Sequence, residues 1–210
     1  MTSYNKISGQ STGRIEAISD AVFGVAMTLL VLEIKEPEFT GHTSDKELAN
    51  AFLELMPKFL VYFLSFITAG IFWVGQSAQF KYIKSSDRNI TWINLLFLLF
   101  VSVLPFSTAF LGDHISFKFS ILLYWLNIFL LGIMLYINWE YANKHNFISE
   151  EMKATVYGPV KRRIVTAQAL YFAGALLCFV NIYLSIAVII AVQLNYAFAF
   201  IGGKQQDSKP

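Results

Sequence analysis

Three ionisable residues stand inside an apolar stretch near the start of the chain. Residues 14–34 read RIEAISDAVFGVAMTLLVLEI, with Arg14, Glu16 and Asp20 ahead of an almost wholly aliphatic run. A charge in a membrane helix is costly, faces protein and is usually paired. Two chemistries fit Asp20. A carboxylate met by a donor from another helix is a packing clamp. Several such carboxylates around one axis would bind cations or relay protons. Arg14 and Asp20 are six apart and do not share a helical face. Glu16 and Asp20 are four apart and repel mildly when both are ionised. Asp20 therefore needs a partner from another helix or subunit: a neighbour's Arg14, or Gln76, Ser77, Asn94, Trp73 or Trp92.

The apolar half has its own pattern. At 100° per residue, Val25, Thr28, Leu29 and Leu32 fall on one stripe at i, i+3, i+4 and i+7. Asp20 lies about 80–180° away from members of that stripe on the same wheel. Charge and stripe therefore face different neighbours. Lipid, core and pore remain open as what the stripe meets. Thr28, its one polar member, can bond its own backbone. Gly24 would admit a close helix.

The elements that must position these residues are membrane helices. Of the 210 residues 56% are hydrophobic and only 14% charged, against about 25% charged in a soluble domain. Mean hydropathy is +0.54. A spanning helix needs about 20 apolar residues. Six segments qualify: 14–34, 58–80, 89–111, 118–140, 159–180 and 182–202. The last two would run about 60 Å if continuous, twice a bilayer core. They must fold back, with Asn181 at the turn. Ser44 and Glu47 form a capping-box pattern before an amphipathic stretch that Pro57 ends or kinks. Gly112 is expected to close the third span and Pro159 to open the fifth. The first run is read as a retained helix: Glu16 and Asp20 do not suit a signal peptide, and no small-x-small site follows.

The expected fold class is thus an all-α integral membrane protein, one six-helix domain over 1–203 with a disordered tail over 204–210. Twelve Lys and Arg fall on the side of the N-terminus, the 2–3 and 4–5 loops and the tail, and four on the other. That bias puts both termini in the cytoplasm. The outer 1–2 loop is acidic, which is either a solvated surface or a cation-concentrating mouth. There is no HExxH, no GxGxxG and no nucleophile with a nearby base. The three histidines fall in separate loops, and no metal site is read. Cys178 is a lone thiol in an apolar run. An enzyme, a cofactor and a nucleic-acid partner are not expected.

Several stretches carry a resemblance. RIEAISD is similar to the Arg-x-x-x-Phe-Ser-Asp signature on the first helix of the transmembrane-protein-175 potassium channels, single-repeat prokaryotic form. AMTLLVLEI continues it. IFWVGQSAQF, INLLFLLFVSVLPFSTAFL and YWLNIFLLGIMLY resemble the next three spans. The resemblance runs from about residue 13 to 145. Two positions depart: Ile18 replaces the signature Phe, and Gln76 and Ser77 stand where relatives often carry a His pair. Gln and Ser hydrogen-bond but do not titrate.

The resemblance implies a homotetramer in the plasma membrane, with potassium as the permeant ion and the first helices around a central pore. It implies no carbonyl filter, and the chain has no TVGYG-type segment. Apolar rings form the constriction instead, mapped by distance from Asp20 onto Val25, Leu29 and Leu32 with the Thr28 layer beside them. Arg14, Ser19, Asp20, Trp73, Gln76 and Asn94 are the expected helix-packing network. The alternative is a secondary transporter or a proton-permeable membrane protein. Pro105, with Ser107 and Thr108, is its one hint of a broken helix.

Overall fold

The computed structural model describes residues 11–37 and 44–198. Among the described residues seven α-helices follow in order: α1 Thr12–Leu32, α2 Asp45–Glu54, α3 Met56–Phe80, α4 Arg88–Asp113, α5 Lys118–Lys144, α6 Glu150–Leu176 and α7 Ile182–Phe198, with a 3-10 turn Leu177–Phe179 before α7. No strand occurs among the described residues, where the only β pairing is an isolated bridge between Ile83 and Ile148. His42 and the expected disordered tail lie outside the described residues.

Helices α1, α3, α4 and α5 are long and apolar enough to cross a membrane. The basic Lys161, Arg162 and Arg163 lie within α6, and α7 is a shorter apolar helix. Local chemistry sets the ends. The Ser44 hydroxyl accepts the Glu47 N–H while Glu47 reaches back to the Ser44 N–H, so the expected capping box opens α2. Glu47 is exposed, and those Ser44 donors hold its carboxyl below the usual range. Pro57 falls in the first turn of α3, where its missing N–H costs nothing. Asn181 Oδ1 accepts the N–H groups of Tyr183 (2.8 Å) and Leu184 (3.1 Å), so the expected turn residue caps α7.

Two boundaries differ from expectation. Pro159 lies inside α6, nine residues after its start, and does not open it. The helix takes its start from Ser149, with Glu150 and Glu151 in the first turn, where acids meet the positive helix end. Gly112 also lies within the last turn of α4, which runs on to Asp113.

A central apolar core joins Phe23 and Ala26 of α1 to Phe72 of α3, Phe97 and Val101 of α4, Tyr124 and Leu131 of α5, and Ile189 of α7. A second core, with Ile15, Phe80, Ile90 and Trp139, closes the end where α1 begins. There Lys84 N–H donates to the Phe147 carbonyl at 2.9 Å, tying the α3–α4 and α5–α6 connections together. Asn146 makes that turn with φ 57°, a conformation Asn tolerates.

Candidate pore helix and its latch

Helix α1 has two faces. Ile15, Ser19, Phe23, Ala26 and Leu30 are buried against α3 and α4. The opposite side is bare within the protomer: Val25 is 58% exposed, Leu29 41% and Leu32 69%, and Thr28 is exposed as well. So the predicted stripe forms a continuous surface that none of the described helices covers. Gly24 lies on that side, with no atom within 4 Å of where a Cβ would stand. Among the described residues, no helix makes the close approach expected at Gly24. Thr28 Oγ1 donates to the Val25 carbonyl at 2.8 Å, as its sequence position allowed.

The buried face is fastened by polar side chains. Ser19 is 1% exposed and uses every site on its hydroxyl. It donates to the Ile15 carbonyl at 2.7 Å. It accepts from Gln76 Nε2 of α3 at 2.7 Å and from Asn94 Nδ2 of α4 at 3.1 Å. Gln76 Nε2 also donates to Asn94 Oδ1 at 2.6 Å, closing a triangle over three helices. A hydroxyl offers one proton and two lone pairs, so Ser19 is saturated, and a buried polar group so satisfied carries little penalty.

Asp20 lies one residue further round and is exposed. Its Oδ1 accepts the indole N–H of Trp73 on α3 at 2.8 Å. Among the partners the sequence offered Asp20, Trp73 is the one it has in this chain. Gln76 and Asn94 hold Ser19 instead, because Ser19 shares the inward face and Asp20 sits at its edge. Ser77 is exposed. No ion pair joins Arg14 to Asp20; the Arg14 backbone N–H caps the helix on Ser11 Oγ.

Other polar clusters escaped sequence reading. Tyr124 OH meets Ser65 and Thr68, and Gln193 Nε2 donates to Thr68 at 2.6 Å. Gln79 takes Asn138 Nδ2 at 2.8 Å and donates to the Leu135 carbonyl at 2.9 Å. Lys161 pairs with Glu140 at 2.7 Å. The only signal for them was a polar residue in an apolar run, and the partners lie 56 or more positions apart for the first two clusters. Around Pro105, Asn127 Nδ2 donates to the Phe100 carbonyl at 3.0 Å, and Ser107 and Thr108 both donate to the Leu104 carbonyl. Those polar groups are used locally, as in a tolerated proline turn.

The comparisons with known proteins fit this arrangement. The family model described as endosomal/lysosomal potassium channel TMEM175 matches residues 14–105, the span from the latch to Pro105. A potassium channel of Streptomyces collinus is 38% identical over 104 residues, which cover 50% of this chain. That match spans about half the length of the relative, 49%. A potassium channel of Chamaesiphon minutus is 29% identical over 191 residues, covering 89% of this chain and 93% of the relative. The TMEM175 of Bos taurus, named an endosomal/lysosomal proton channel, is 30% identical over 204 residues, 91% of this chain and 43% of that protein. The crystal structure of a lysosomal potassium-selective channel TMEM175 homolog from Chamaesiphon minutus superposes with a TM-score of 0.76 at 27% identity, covering 90% of this chain and 97% of that one. The family model over the first helices, the full-length bacterial relative and the solved structure together make this chain similar to the TMEM175 family.

Proposed function

We propose that the protein is a potassium-preferring cation channel, conducting passively through an apolar constriction made by α1 of four subunits. The observation that carries this is the division of α1. One side is latched by Ser19 and Asp20, and the other leaves Val25, Thr28, Leu29 and Leu32 exposed within the protomer. An apolar face beside a saturated polar anchor suits a helix held rigidly at an axis. The names of the bacterial relatives support potassium as the permeant ion.

Six crossings, counting α6 and α7, both termini in the cytoplasm and a homotetramer in the plasma membrane complete the reading. A narrow apolar ring gates by dewetting. Potassium loses its hydration shell at lower cost than sodium, which favours it through such a ring. Thr28 adds to this. Its proton is spent on the Val25 carbonyl, so the hydroxyl oxygen presents only lone pairs, the side that suits a cation.

The test is potassium flux into liposomes holding the purified protein. Passive, voltage-driven flux with potassium ahead of sodium supports the channel. Saturable, coupled uptake supports the transporter instead. Proton flux is measured in the same vesicles, because the bovine relative is named a proton channel. A Leu29→Ala and Thr28→Ala pair that leaves flux and ion preference unchanged overturns the pore assignment.

A further inference from the structure

A cavity of about 140 Å³ lies among α3, α5, α6 and α7, away from the exposed stripe of α1. It shares α3 with the latch: Phe72, Gly75 and Gln79 line the cavity, while Trp73 and Gln76 hold α1. The walls are mainly apolar, with Leu135, Ile164 and Ala167 among them. Two of its polar atoms are buried without a partner. Tyr171 lines the cavity, is 2% exposed, and its hydroxyl has no hydrogen-bond partner. Gln168 lines it too, and its buried Oε1 has none either. Residues 168 and 171 are three apart on α6 and so are neighbours on one helix face. Gln168 passes close over α5 at Gly132, where a Cβ would collide with it.

Buried polar groups left unmet are costly, and natural structures meet nearly all of them. Tyr171 has a proton to give, and the Gln168 amide oxygen has lone pairs to fill. One hydroxyl group serves both, because it accepts and donates at once. Volume decides what carries it. A water occupies about 30 Å³ of liquid, while a cavity of about 150 Å³ admits a benzene. Further waters against these apolar walls would find no partners. Charge is disfavoured as well: Arg163, the one charged lining residue, is exposed and its guanidinium lies 5.6 Å from the Tyr196 ring centre.

We infer that this cavity binds a small uncharged amphiphile, one hydroxyl on an apolar body the size of a six-membered ring, with the hydroxyl between Tyr171 and Gln168. Its occupant acts on conduction through α3. Phe72 lines the cavity and stands 6.5 Å from the Phe97 ring of α4, which stands 5.8 Å from Phe23 of α1. Three aromatic rings thus connect the cavity to the exposed-stripe helix. This second half rests on the pore reading; the binding itself does not.

The probes are phenol and benzene, titrated by ligand-observed NMR into the full-length protein in lipid nanodiscs, with empty discs subtracted for partition. Phenol binds about tenfold tighter than benzene, the worth of one buried hydrogen bond. In the Tyr171→Phe, Gln168→Leu double variant, which removes both polar partners, the two differ by less than about twofold. Ala167→Leu fills the cavity and weakens both probes, so non-specific uptake is separated from site binding. Equal affinity for phenol and benzene in the unaltered protein, or a preference that survives in the Tyr171→Phe, Gln168→Leu double variant, overturns the site. Potassium flux in liposomes then tests the coupling: phenol shifts it in the unaltered protein and not in Ala167→Leu. Saturable binding with unchanged flux overturns the coupling and leaves the site. Absence of any flux before phenol is added counts against the pore reading and the coupling that rests on it, and the binding result stands.

Discussion

Trp73 donates its indole N–H to Asp20 Oδ1 at 2.8 Å, across the edge of the contact between α1 and α3. The pair is neutral donor to carboxylate, with no cation involved. It therefore fixes the rotation of α1 without a buried ion pair. The hydrogen bond needs an acceptor oxygen, and Asn supplies one as Asp does. Asp20→Asn is expected to keep the proposed tetramer and to leave potassium flux within about twofold, because the clamp survives. Trp73→Phe removes the donor that Asp20 has among the described residues and is expected to lower assembly of the proposed tetramer. Size-exclusion light scattering reads the first effect and liposome flux the second. An intact Asp20→Asn tetramer with strongly changed ion preference would make Asp20 part of the ion path.

The Ser19–Gln76–Asn94 triangle gives a sharper stability prediction. All three side chains are at most 3% exposed. Gln76→Leu leaves Asn94 Oδ1 without its donor and Ser19 with one bond fewer. A buried polar group left unmet costs about 1–3 kcal/mol, although such bonds inside membranes average nearer 0.6 kcal/mol. A loss of about 1–2 kcal/mol is expected from these two limits. Ser77→Ala, one position along on an exposed site, should cost almost nothing. Reversible unfolding in mixed micelles, comparing the two variants, checks the difference.

Much of this site could be read before the fold was known, and the reason is local. Heptad-like spacing put Val25, Thr28, Leu29 and Leu32 on one face whatever surrounds them. The same wheel separated Asp20 from that face. Helix spacing does not say which neighbour meets which residue. It nominated Gln76 and Asn94 for Asp20, whereas they hold Ser19, which entered the expected network through the signature and not through the wheel. That choice depends on how α3 and α4 cross α1. The Thr68–Tyr124–Gln193 cluster was invisible for the same reason: its members are 56 and 125 positions apart. Pro159 misled because a proline is at home in a first helical turn and a continuous α6 through it is decided by packing.

The exposed stripe predicts how the constriction responds to size. Val25→Ala and Leu29→Ala each remove apolar bulk from the bare face of α1. In a tetramer each change acts four times. Both should raise potassium flux and lower its preference over sodium, since a wider ring demands less dehydration. Thr28→Ala removes an oxygen without widening much, and so should lower preference more than flux. Paired potassium and sodium flux in the same liposomes separates the two outcomes.

Acidification should loosen the start of α2. Glu47 is exposed and held below the ordinary carboxylate range by its bonds from Ser44. A lowered folded pKa means the capping contribution is complete above the ordinary value of 4.5 and is lost as pH falls through the lower folded value. Amide exchange at the Glu47 N–H, which Ser44 Oγ accepts at 3.3 Å, reports it. Relative to its intrinsic rate, exchange should quicken below pH 4.5 and stay constant above. In Glu47→Gln, which keeps a reaching acceptor without a charge, the pH step should vanish.

Gly132 gives a prediction whose sign reverses with its neighbour. A Cβ on this residue would collide with the Gln168 side chain, from the amide nitrogen back to Cγ. Gly132→Ala therefore overpacks the α5–α6 contact, and such changes cost about 1–3 kcal/mol. Against this stands the helix preference for Ala, about 0.8–1 kcal/mol over Gly. In the natural background the collision is the larger effect, and the variant should be less stable. In Gln168→Ala the obstacle is gone and only the preference remains, so Gly132→Ala should then stabilise. The double-mutant cycle should show a coupling of about 1–3 kcal/mol between the two positions. If Gly132→Ala lowers stability equally in both backgrounds, Gln168 is not what the glycine makes room for.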